Sequence, residues 1–279
     1  MKASFDYTGC TVFLAGGTSG INLGIARAFA AAGARVGVAS RRREKVDAAV
    51  AALGPDALGY AFDVRDAAAT AEALAAFAAA AGPIDVLVSG AAGNFPAAAK
   101  DLSPNGFKAV VDIDLLGTFH VMRAAYPHLR RPGSIINVSA PQASIPMAMQ
   151  VHVCAAKAGV DMVTRCLAIE WGPEGIRVNG VVPGPIEGTE GMARLAPTEA
   201  ARAAIAAAVP LRRFGSPRDV ADVCLWLGSE AAAYVNGAIV FADGGWAQRV
   251  APIRPSLHQP SGAPRWAQPP SAKTMAPLT

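Results

Sequence analysis

The sequence predicts a doubly wound α/β fold, in which a parallel sheet lies between two layers of helices. Short runs rich in β-branched residues alternate with longer, alanine-rich amphipathic segments along most of the 279 residues, which is typical of βαβ units. Several of the short runs are apolar throughout, as expected for strands buried on both faces. A single domain over residues 1–250 is the simplest interpretation.

The order of these runs gives the predicted elements. The candidate strands are 11–15, 35–39, 58–62, 86–89, 134–139, 177–182 and 238–241. The periodic segments between them predict helices near 24–32, 42–53, 66–81, 104–129, 155–171 and 217–228. Proline and glycine interrupt the alternation at 141–152 and 186–217. We expect irregular inserts there, which is where an open parallel sheet makes its substrate contacts.

Residues 251–279 have a different composition from the rest of the chain. They contain seven prolines, three Lys or Arg residues and no acidic residue. A segment of this kind cannot bury enough apolar surface to fold alone. We expect a proline-rich tail that is extended or disordered.

Composition excludes several classes of function. The 25 Lys and Arg residues exceed the 21 Asp and Glu residues by only four, far too few for a protein that binds nucleic acid through its phosphates. No apolar run is long enough to span a membrane. The four cysteines lie far apart without metal-ligand spacing, so we expect no metal and a reducing compartment. The amino terminus lacks the features of a targeting peptide, which predicts a cytoplasmic protein.

A glycine-rich segment, residues 16–24, follows the first strand and opens the first helix. Glycine lets the backbone approach a pyrophosphate closely, and a helix amino terminus supplies amide donors to it. This placement predicts a dinucleotide site. Its candidate residues are Gly16, Thr18, Ser19, Gly20, Ile21 and Asn22.

The second strand ends in Ser40, Arg41 and Arg42, where a site for NAD usually has an acidic residue. Guanidinium groups at this point match the 2′-phosphate of NADPH instead. We therefore predict NADPH as the cofactor.

The ends of the next two strands extend the same site. Asp63 and Val64 end the third strand and are expected beside the adenine ring. The fourth strand ends in small residues that leave room for a ribose and its phosphates, namely Gly90, Ala91, Ala92 and Gly93.

Together with several later segments, these residues resemble the short-chain dehydrogenases/reductases over about residues 8–247. The later segments are VDIDLLGTF at 111–119, IINVS at 135–139, AAKAGV at 155–160, RVN at 177–179, PGPI at 183–186 and DGG at 243–245. The resemblance implies a Rossmann-like domain that transfers hydride to or from a nicotinamide cofactor, in a homo-oligomer that is often a tetramer. It also assigns Lys157, Pro183, Gly184 and Ile186 to the cofactor site.

The sequence departs from this family at four positions. Val153 replaces the tyrosine four residues before the active-site lysine, and Ala140 replaces its serine partner. Asp114 stands where asparagine is usual. Asn22 replaces the third glycine of the loop, and we expect it to adopt the left-handed conformation of that glycine. The usual proton donor for a ketone or alcohol is therefore missing.

This set of losses resembles the peroxisomal-type 2,4-dienoyl-CoA reductases. The segments QVH at 150–152, EWGP at 170–173 and PGPIEGTEG at 183–191 carry the same resemblance. It implies the NADPH-dependent reduction of a conjugated enoyl or dienoyl thioester, in fatty acid metabolism.

The chemistry of that reaction assigns roles to the remaining polar residues. Hydride addition to the far carbon places negative charge on the thioester oxygen, as a dienolate, so a nearby cation and a proton source at carbon are needed. We expect Lys157 to bind the nicotinamide ribose and supply the positive charge. Asp114 is expected to pair with Lys157 and hold a water, although a purely structural carboxylate is the alternative.

Five further residues are candidate substrate contacts. Gln150, His152 and Met192 lie in the inserts, and Asn94 and Phe95 directly follow the small residues at the end of the fourth strand. Two other functions remain open. The chain is either an NADP(H)-dependent oxidoreductase for another carbonyl substrate, or a non-catalytic NADP(H)-binding sensor or scaffold.

Overall fold

A seven-stranded parallel sheet forms the centre of the computed structural model, which describes residues 4–247 apart from the side chains of residues 194 and 195. The strand order is β3-β2-β1-β4-β5-β6-β7. The strands are β1 (Thr11–Ala15), β2 (Arg35–Ser40), β3 (Leu58–Ala61), β4 (Ile84–Ser89), β5 (Leu129–Val138), β6 (Ile176–Pro183) and β7 (Ile239–Ala242).

Helices connect the strands. They are α1 (Gly20–Ala31), α2 (Arg43–Leu53), α3 (Ala67–Ala81), α4 (Pro104–Val110), α5 (Gly117–Ala125), α6 (Val151–Trp171), α7 (Glu190–Leu195), α8 (Glu199–Ala208) and α9 (Pro217–Gly228). A π-helical segment, Val111–Leu116, joins α4 to α5.

Each face of the sheet has its own apolar core. On one face, α1, α2 and α9 bury side chains such as Ile25 and Phe29. On the other face, α3, α5 and α6 bury Leu74, Phe77 and Met122. The burial of both faces explains the unbroken apolar runs in the strands, and the predicted doubly wound fold is confirmed.

The strand order reverses between β1 and β4. The chain passes from β1 to β2 and β3 on one side, and then returns to place β4 on the other side of β1. The connections that leave these strands therefore diverge, and a crevice opens at their carboxyl ends. Backbone hydrogen bonds hold its margins, from Gly16 N to Ala39 O and from Gly90 N to Ala15 O, both at 2.9 Å.

The single long helix predicted at 104–129 is wrong. The structure divides it into α4, the π-helical segment and α5, with a 3₁₀ turn at Tyr126–His128, and β5 already begins at Leu129. No glycine or proline within residues 111–116 marks the wide turn. Its consequence is functional, because it turns Asp114 into the interior, where only 1% of the residue is exposed.

The predicted irregular insert at 186–217 is also wrong, since it contains α7 and α8. Thr189 caps α7 by accepting a hydrogen bond from Met192 N, and Thr198 caps α8 by accepting one from Ala201 N. Capping and alanine-rich helix propensity outweigh the nearby glycines and prolines. Helix α6 similarly starts at residue 151 rather than 155.

The described residues belong to one unit that ends at Ala247. The predicted tail at 251–279 lies outside the described residues. Among residues 4–247, no helix is both long and apolar enough to cross a membrane.

The start of α9 provides a test of the fold. Asp219 accepts hydrogen bonds from the Arg213 guanidinium group and from Ser216 N, the latter at 2.7 Å. Both contacts lower the pKa of the Asp219 carboxyl, and the contact with Arg213 has the larger effect. We expect Asp219→Ala to reduce the free energy of unfolding by about 1–2 kcal/mol in urea at neutral pH. Because a lowered pKa stabilises the fold only where the carboxyl is ionised, the loss should persist down to about pH 4 and shrink below it.

The control is Asp222→Ala, which removes the exposed ion pair with Arg218 on the same helix. It should change stability by less than about 0.5 kcal/mol. Equal losses in the two variants would contradict the role assigned to the Asp219 cap.

Candidate active site

A cleft of about 500 Å³ occupies the crevice at the carboxyl ends of β1 to β4. Most of the predicted cofactor residues line it. They are Gly16, Thr18, Ser19, Asn22, Ser40, Arg41, Arg42, Asp63, Val64, Gly90, Ala91 and Ala92.

Sequence reasoning missed five residues of the lining: Ala39, Lys45, Phe62, Ile113 and Glu190. Lys45 lies in the first turn of α2, four residues after Arg41, so the cluster of basic residues at 41–45 could have indicated it. Phe62 and Ile113 directly precede the predicted Asp63 and Asp114. Glu190 comes from α7, and its place in the segment at 183–191 that carries the family resemblance is the signal that could have found it.

The glycine-rich turn is shaped for close approach. Gly16 has a φ of +85°, and a Cβ there would lie 2.7 Å from Ala91 N. Ser19, the N-cap of α1, makes no side-chain capping bond. The first amides of α1 are therefore not capped by that side chain, and they fit the pyrophosphate of a dinucleotide.

The conformation expected for Asn22 is wrong. Asn22 is an ordinary helical residue of α1, and the non-glycine residues with positive φ in the described chain are Met149 and Arg212. Its side-chain amide donates to Gly90 O at 2.7 Å and Gly16 O at 3.3 Å. Asn22 therefore ties the start of α1 to the end of β4, which glycine could not do.

Positive charge surrounds the end of β2. Arg41 and Arg42 are exposed, and the half-buried Lys45 lines the same part of the cleft. Asp63 accepts four hydrogen bonds from Arg65, three from its guanidinium group and one from its backbone N, and these lower the pKa of the carboxyl, with a smaller contribution from Arg41. The Asp63 carboxylate is thus paired with Arg65, and Arg42 Nε lies 3.5 Å from Glu44 Oε1. Arg41, Arg42 and Lys45 line the cleft, where their positive charge suits an anionic group.

A buried ion pair lies beyond the end of β5. Lys157 Nζ is 3.5 Å from Asp114 Oδ2 and donates to Val138 O at 3.0 Å. Asp114 Oδ1 accepts from Gly93 N at 2.7 Å. Only 4% of Lys157 is exposed. Gly93 and Lys157, both predicted for the cofactor site, thus meet at Asp114.

Burial raises the pKa of the Asp114 carboxyl, and the Lys157 ammonium and the Gly93 amide oppose that rise. Because the pKa of Asp114 is higher in the folded protein than in the unfolded chain, its ionisation lowers the stability of the fold as the pH rises from the unfolded-state pKa to the folded-state pKa. Lys157 and Gly93 are therefore the contacts that stabilise the charged form. The Asp114–Lys157 pair therefore has a cation that can stabilise a negative charge and a carboxylate that can accept a proton.

The neighbourhood of Lys157 is polar on its other side as well. Ser139 donates a short hydrogen bond to Asp161, one turn after Lys157 on α6. Burial raises the pKa of Asp161, and the bond from Ser139 opposes this effect. Since Ser139 directly follows Val138, this contact helps to fix the carbonyl that holds Lys157.

The positions of the missing tyrosine and serine are apolar. Val153 is buried against Val110 and Ala156, and Ala140 is half-buried at the end of β5. Within the described chain, no phenol stands at this point of α6. The packing around Val153 is apolar, and the polar contacts of this end of the site are the Asp114–Lys157 pair and the Ser139–Asp161 hydrogen bond.

The loop after β4 is joined by hydrogen bonds to the segment that leads into α6. Ala97 N donates to Met149 O at 2.9 Å, and His152 Nε2 contacts Phe95 O at 3.0 Å. His152 is fully buried, so in this conformation it holds the loop and presents no surface to a substrate. Its Nδ1 has no partner among the described residues.

The other predicted substrate residues differ in exposure. Asn94 and Phe95 are exposed. Met192 lies in α7, and only 9% of it is exposed. Gln150 accepts a hydrogen bond from Gln142 at 2.8 Å. Asn94 and Phe95 are the two that present surface to a ligand.

Several predicted cofactor residues lie outside the lining of the cleft. Gly20 and Ile21 begin α1 beneath it. Pro183 ends β6, Gly184 packs against Asp243, and Ile186 is buried in the core. Among residues 4–247 no group of three His, Cys, Asp or Glu side chains is arranged to hold a metal.

Comparisons with known proteins agree with this geometry. A family model described as enoyl-(acyl carrier protein) reductase matches residues 15–247. A peroxisomal 2,4-dienoyl-CoA reductase [(3E)-enoyl-CoA-producing] of Arabidopsis thaliana is 42% identical, over 85% of this chain and 84% of its own. A probable 2,4-dienoyl-CoA reductase [(2E)-enoyl-CoA-producing] of Bacillus subtilis is 39% identical, over 84% and 95%.

A solved structure of a short chain dehydrogenase has a similar fold. The crystal structure of a short chain dehydrogenase from Bacillus anthracis has a TM-score of 0.80 and 36% identity, and the match covers 88% of this chain and 98% of the other.

The ion pair makes a prediction about stability. We expect Asp114→Ala to reduce the free energy of unfolding by about 3–5 kcal/mol, because it leaves the Lys157 ammonium buried without a carboxylate. The double variant Asp114→Leu, Lys157→Met should recover most of that loss, since it removes both charges. Urea unfolding measures both variants.

Asp112→Ala is the matched control, because Asp112 lies two residues away and pairs with the exposed Lys108. It should cost less than about 1 kcal/mol. If Asp114→Ala also reduced the free energy of unfolding by less than about 1 kcal/mol, the Asp114–Lys157 pair would not be buried in solution.

Proposed function

The chain belongs to the short-chain dehydrogenase/reductase family, and from that premise we propose that it is a 2,4-dienoyl-CoA reductase that uses NADPH. The buried Asp114–Lys157 pair, at a site without the usual tyrosine, is the observation that carries this proposal. The Arabidopsis and Bacillus subtilis relatives bear that activity in their names.

The overall reaction balances with one hydride and one proton. A 2,4-dienoyl thioester, NADPH and a proton give an enoyl thioester and NADP⁺. When bound, NADPH supplies the hydride. The negative charge that the substrate gains spreads to its thioester oxygen, as a dienolate, and a proton then joins carbon.

The chain's residues support each part of this reaction. Lys157 supplies a fixed positive charge close to the reacting end of the cleft, and low exposure strengthens its effect on an oxyanion. Asp114 orients Lys157 and, with it, holds the water that delivers the proton. Neither step requires a phenol, which accounts for a working site with Val153 in place of tyrosine.

Geometry also supports the cofactor. The close contact of Gly16 with Ala91 and the start of α1 fit a pyrophosphate. Arg41, Arg42 and Lys45 fit the 2′-phosphate that distinguishes NADPH from NADH. Asp63 and Val64 border the region where the adenine is expected, and Gly184 and Ile186 are proposed for the nicotinamide end.

A second copy of the chain is the proposed partner. Apolar side chains are exposed on the π-helical segment, α5 and α6, including Leu116, Phe119, Met162 and Ile169, the last with 78% exposed. A surface of this kind favours contact with a protein. We propose a homo-oligomer, a tetramer by family expectation, and sedimentation velocity measures its size.

We also propose a cytoplasmic location. All four cysteines are free thiols, which fits a reducing compartment. The Arabidopsis relative is named as peroxisomal, so fractionation of the native cells is the appropriate measurement.

The function is tested directly with purified protein, NADPH and 2,4-dienoyl-CoA of several chain lengths. We expect the nicotinamide absorbance to fall, and NMR of the product shows where the remaining double bond lies. Asp114→Asn should lower kcat by about 100-fold, since proton transfer by a positioned group contributes that much or more. Asp112→Asn should leave kcat unchanged.

No loss of absorbance at any chain length would contradict the proposed activity. Tight NADPH binding without turnover on any thioester would favour the sensor or scaffold. Turnover on ketones instead would favour the other oxidoreductase.

Cofactor preference has its own test. We expect Arg41→Ala to weaken NADPH binding at least tenfold and to leave NADH binding unchanged, because it removes a charge from the 2′-phosphate site. Arg43→Ala is the control, since Arg43 pairs with Asp47 and is absent from the cleft lining. A similar loss for both cofactors in Arg41→Ala would contradict the preference for NADPH.

A further inference from the structure

Asp161 is a buried carboxylate to which neither the cofactor site nor the proposed reaction assigns a role. Only 7% of the residue is exposed, and burial raises the pKa of its carboxyl. Its ionisation therefore lowers the stability of the fold. A buried titratable group that the core does not need is a candidate for a role in function.

Asp161 lies on the face of α6 that meets the end of β5. Lys157, Asp161 and Thr164 are separated by four and three residues, so they follow one another along one face of the helix. Asn137 and Ser139 are two residues apart in extended chain, so their side chains lie on the same side of the sheet. These two faces carry the polar contacts between the strand and the helix.

The hydrogen bond between Ser139 and Asp161 is adjacent to the contact that holds Lys157. Ser139 Oγ donates to Asp161 Oδ1, and the preceding carbonyl, Val138 O, accepts from Lys157 Nζ at 3.0 Å. Ser139 N donates to Val181 O at 2.8 Å, which holds this end of β5 within the plane of the sheet. The bond to Asp161 holds it against the helix instead. A shift of Val138 O away from Lys157 would therefore strain the Ser139–Asp161 bond.

The charge of Asp161 makes this link a strong one. A hydrogen bond to an ionised carboxylate is about twice as strong as one between neutral groups. The bond from Ser139 is the largest effect that opposes the raised pKa of the Asp161 carboxyl, and the positive charges of Arg165 and Lys157 act in the same direction. Asp161 is thus within electrostatic reach of Lys157 as well as bonded beside its carbonyl acceptor.

A second side-chain link joins the same strand and helix. Asn137 Nδ2 donates to Thr164 Oγ1 at 2.8 Å, and both residues are fully buried. Thr164 follows Lys157 by seven residues, which is about two helical turns. This link fastens β5 to α6 with neutral groups at a distance from the reacting cation. It therefore separates the effect of fastening the two elements from the effect of placing Lys157.

We propose that Asp161 is a positioning residue for Lys157: through Ser139 it fixes the end of β5 against α6, so that the Val138 carbonyl keeps the Lys157 ammonium in place beside Asp114. This inference rests on the proposed function and deepens it. The role requires no contact between Asp161 and the cofactor or the substrate.

The first experiment measures kcat and KM for 2,4-dienoyl-CoA at saturating NADPH. We expect Ser139→Ala and Asp161→Leu each to lower kcat about tenfold with KM within about twofold of wild type, because a misplaced cation weakens stabilisation of the transition state more than binding of the substrate. The double variant should lose no more than the single variants, since all of them remove the same bond.

Asp161→Asn is the conservative variant. Its side-chain carbonyl can still accept from Ser139, so it should keep at least about half of the wild-type kcat. Thr164→Val is the matched control, because it removes the other link between the same two elements. It should lower the melting temperature and leave kcat unchanged.

The second experiment does not depend on the reaction. It compares the melting temperatures of Ser139→Ala, Lys157→Met and their double variant, all without cofactor. If the Ser139–Asp161 bond holds the carbonyl that Lys157 contacts, the double variant should lose less than the sum of the single losses, by about 2 °C or more. Thr164→Val and Lys157→Met should be additive.

Four results would overturn the proposal. A lower melting temperature with unchanged kcat in Ser139→Ala, an equal loss of kcat in Thr164→Val, or additive melting temperatures for Ser139→Ala and Lys157→Met would make Asp161 a packing residue. A loss in Asp161→Asn as large as in Asp161→Leu would assign the effect to charge and not to position. If wild type reduces no dienoyl-CoA, the proposed function fails, whereas the melting temperatures still decide whether Asp161 positions Lys157.

Discussion

The reversal of strand order between β1 and β4 is the constraint on which the site depends. It sends neighbouring connections in opposite directions, and the crevice between them becomes the cofactor cleft. The backbones must still approach closely at that point, as Gly16 and Ala91 do. Asn22 adds a side-chain clamp across the same gap. The cationic end of β2 lines this cleft, and the Asp114–Lys157 ion pair lies beyond β5, outside the lining.

The chemical end of the cleft relies on enclosure. A lysine and an aspartate this deeply buried are costly unless each is paired and hydrogen-bonded. Here the Val138 carbonyl and the Gly93 amide complete the pair. His152, which acts electrostatically on Asp114, is itself held by its contact with Phe95 O. Low exposure makes the charge of Lys157 more effective on a developing oxyanion than it would be in water.

The loss of the usual tyrosine is accommodated by packing as well as by chemistry. Val153 fills its position as part of a small apolar cluster with Val110 and Ala156. Buried polar groups remain at Asp114 and Lys157 and at Ser139 and Asp161. The proposed reduction of a conjugated thioester rests on the first of these pairs.

The sequence by itself determined the features that depend on neighbouring residues. Apolar runs identified all seven strands, and the glycine-rich turn together with the residues that end β2, β3 and β4 identified most of the cleft lining. These signals are local, since strand burial and turn geometry depend on a few consecutive residues. Lys157 and Asp114 came from resemblance to a family.

Only the tertiary structure decided the features that depend on distant contacts. Asp114 faces Lys157 because a π-helical turn, unmarked in the sequence, rotates it inward. Glu190 reaches the cleft from α7, a helix that was not predicted because glycines flank and interrupt it. His152 is buried, with its Nε2 in contact with Phe95 O. Asn22 is helical rather than left-handed because two carbonyls, one of them 68 residues away, hold its amide. The energies of these contacts depend on groups that the fold brings together, and local sequence patterns do not contain that information.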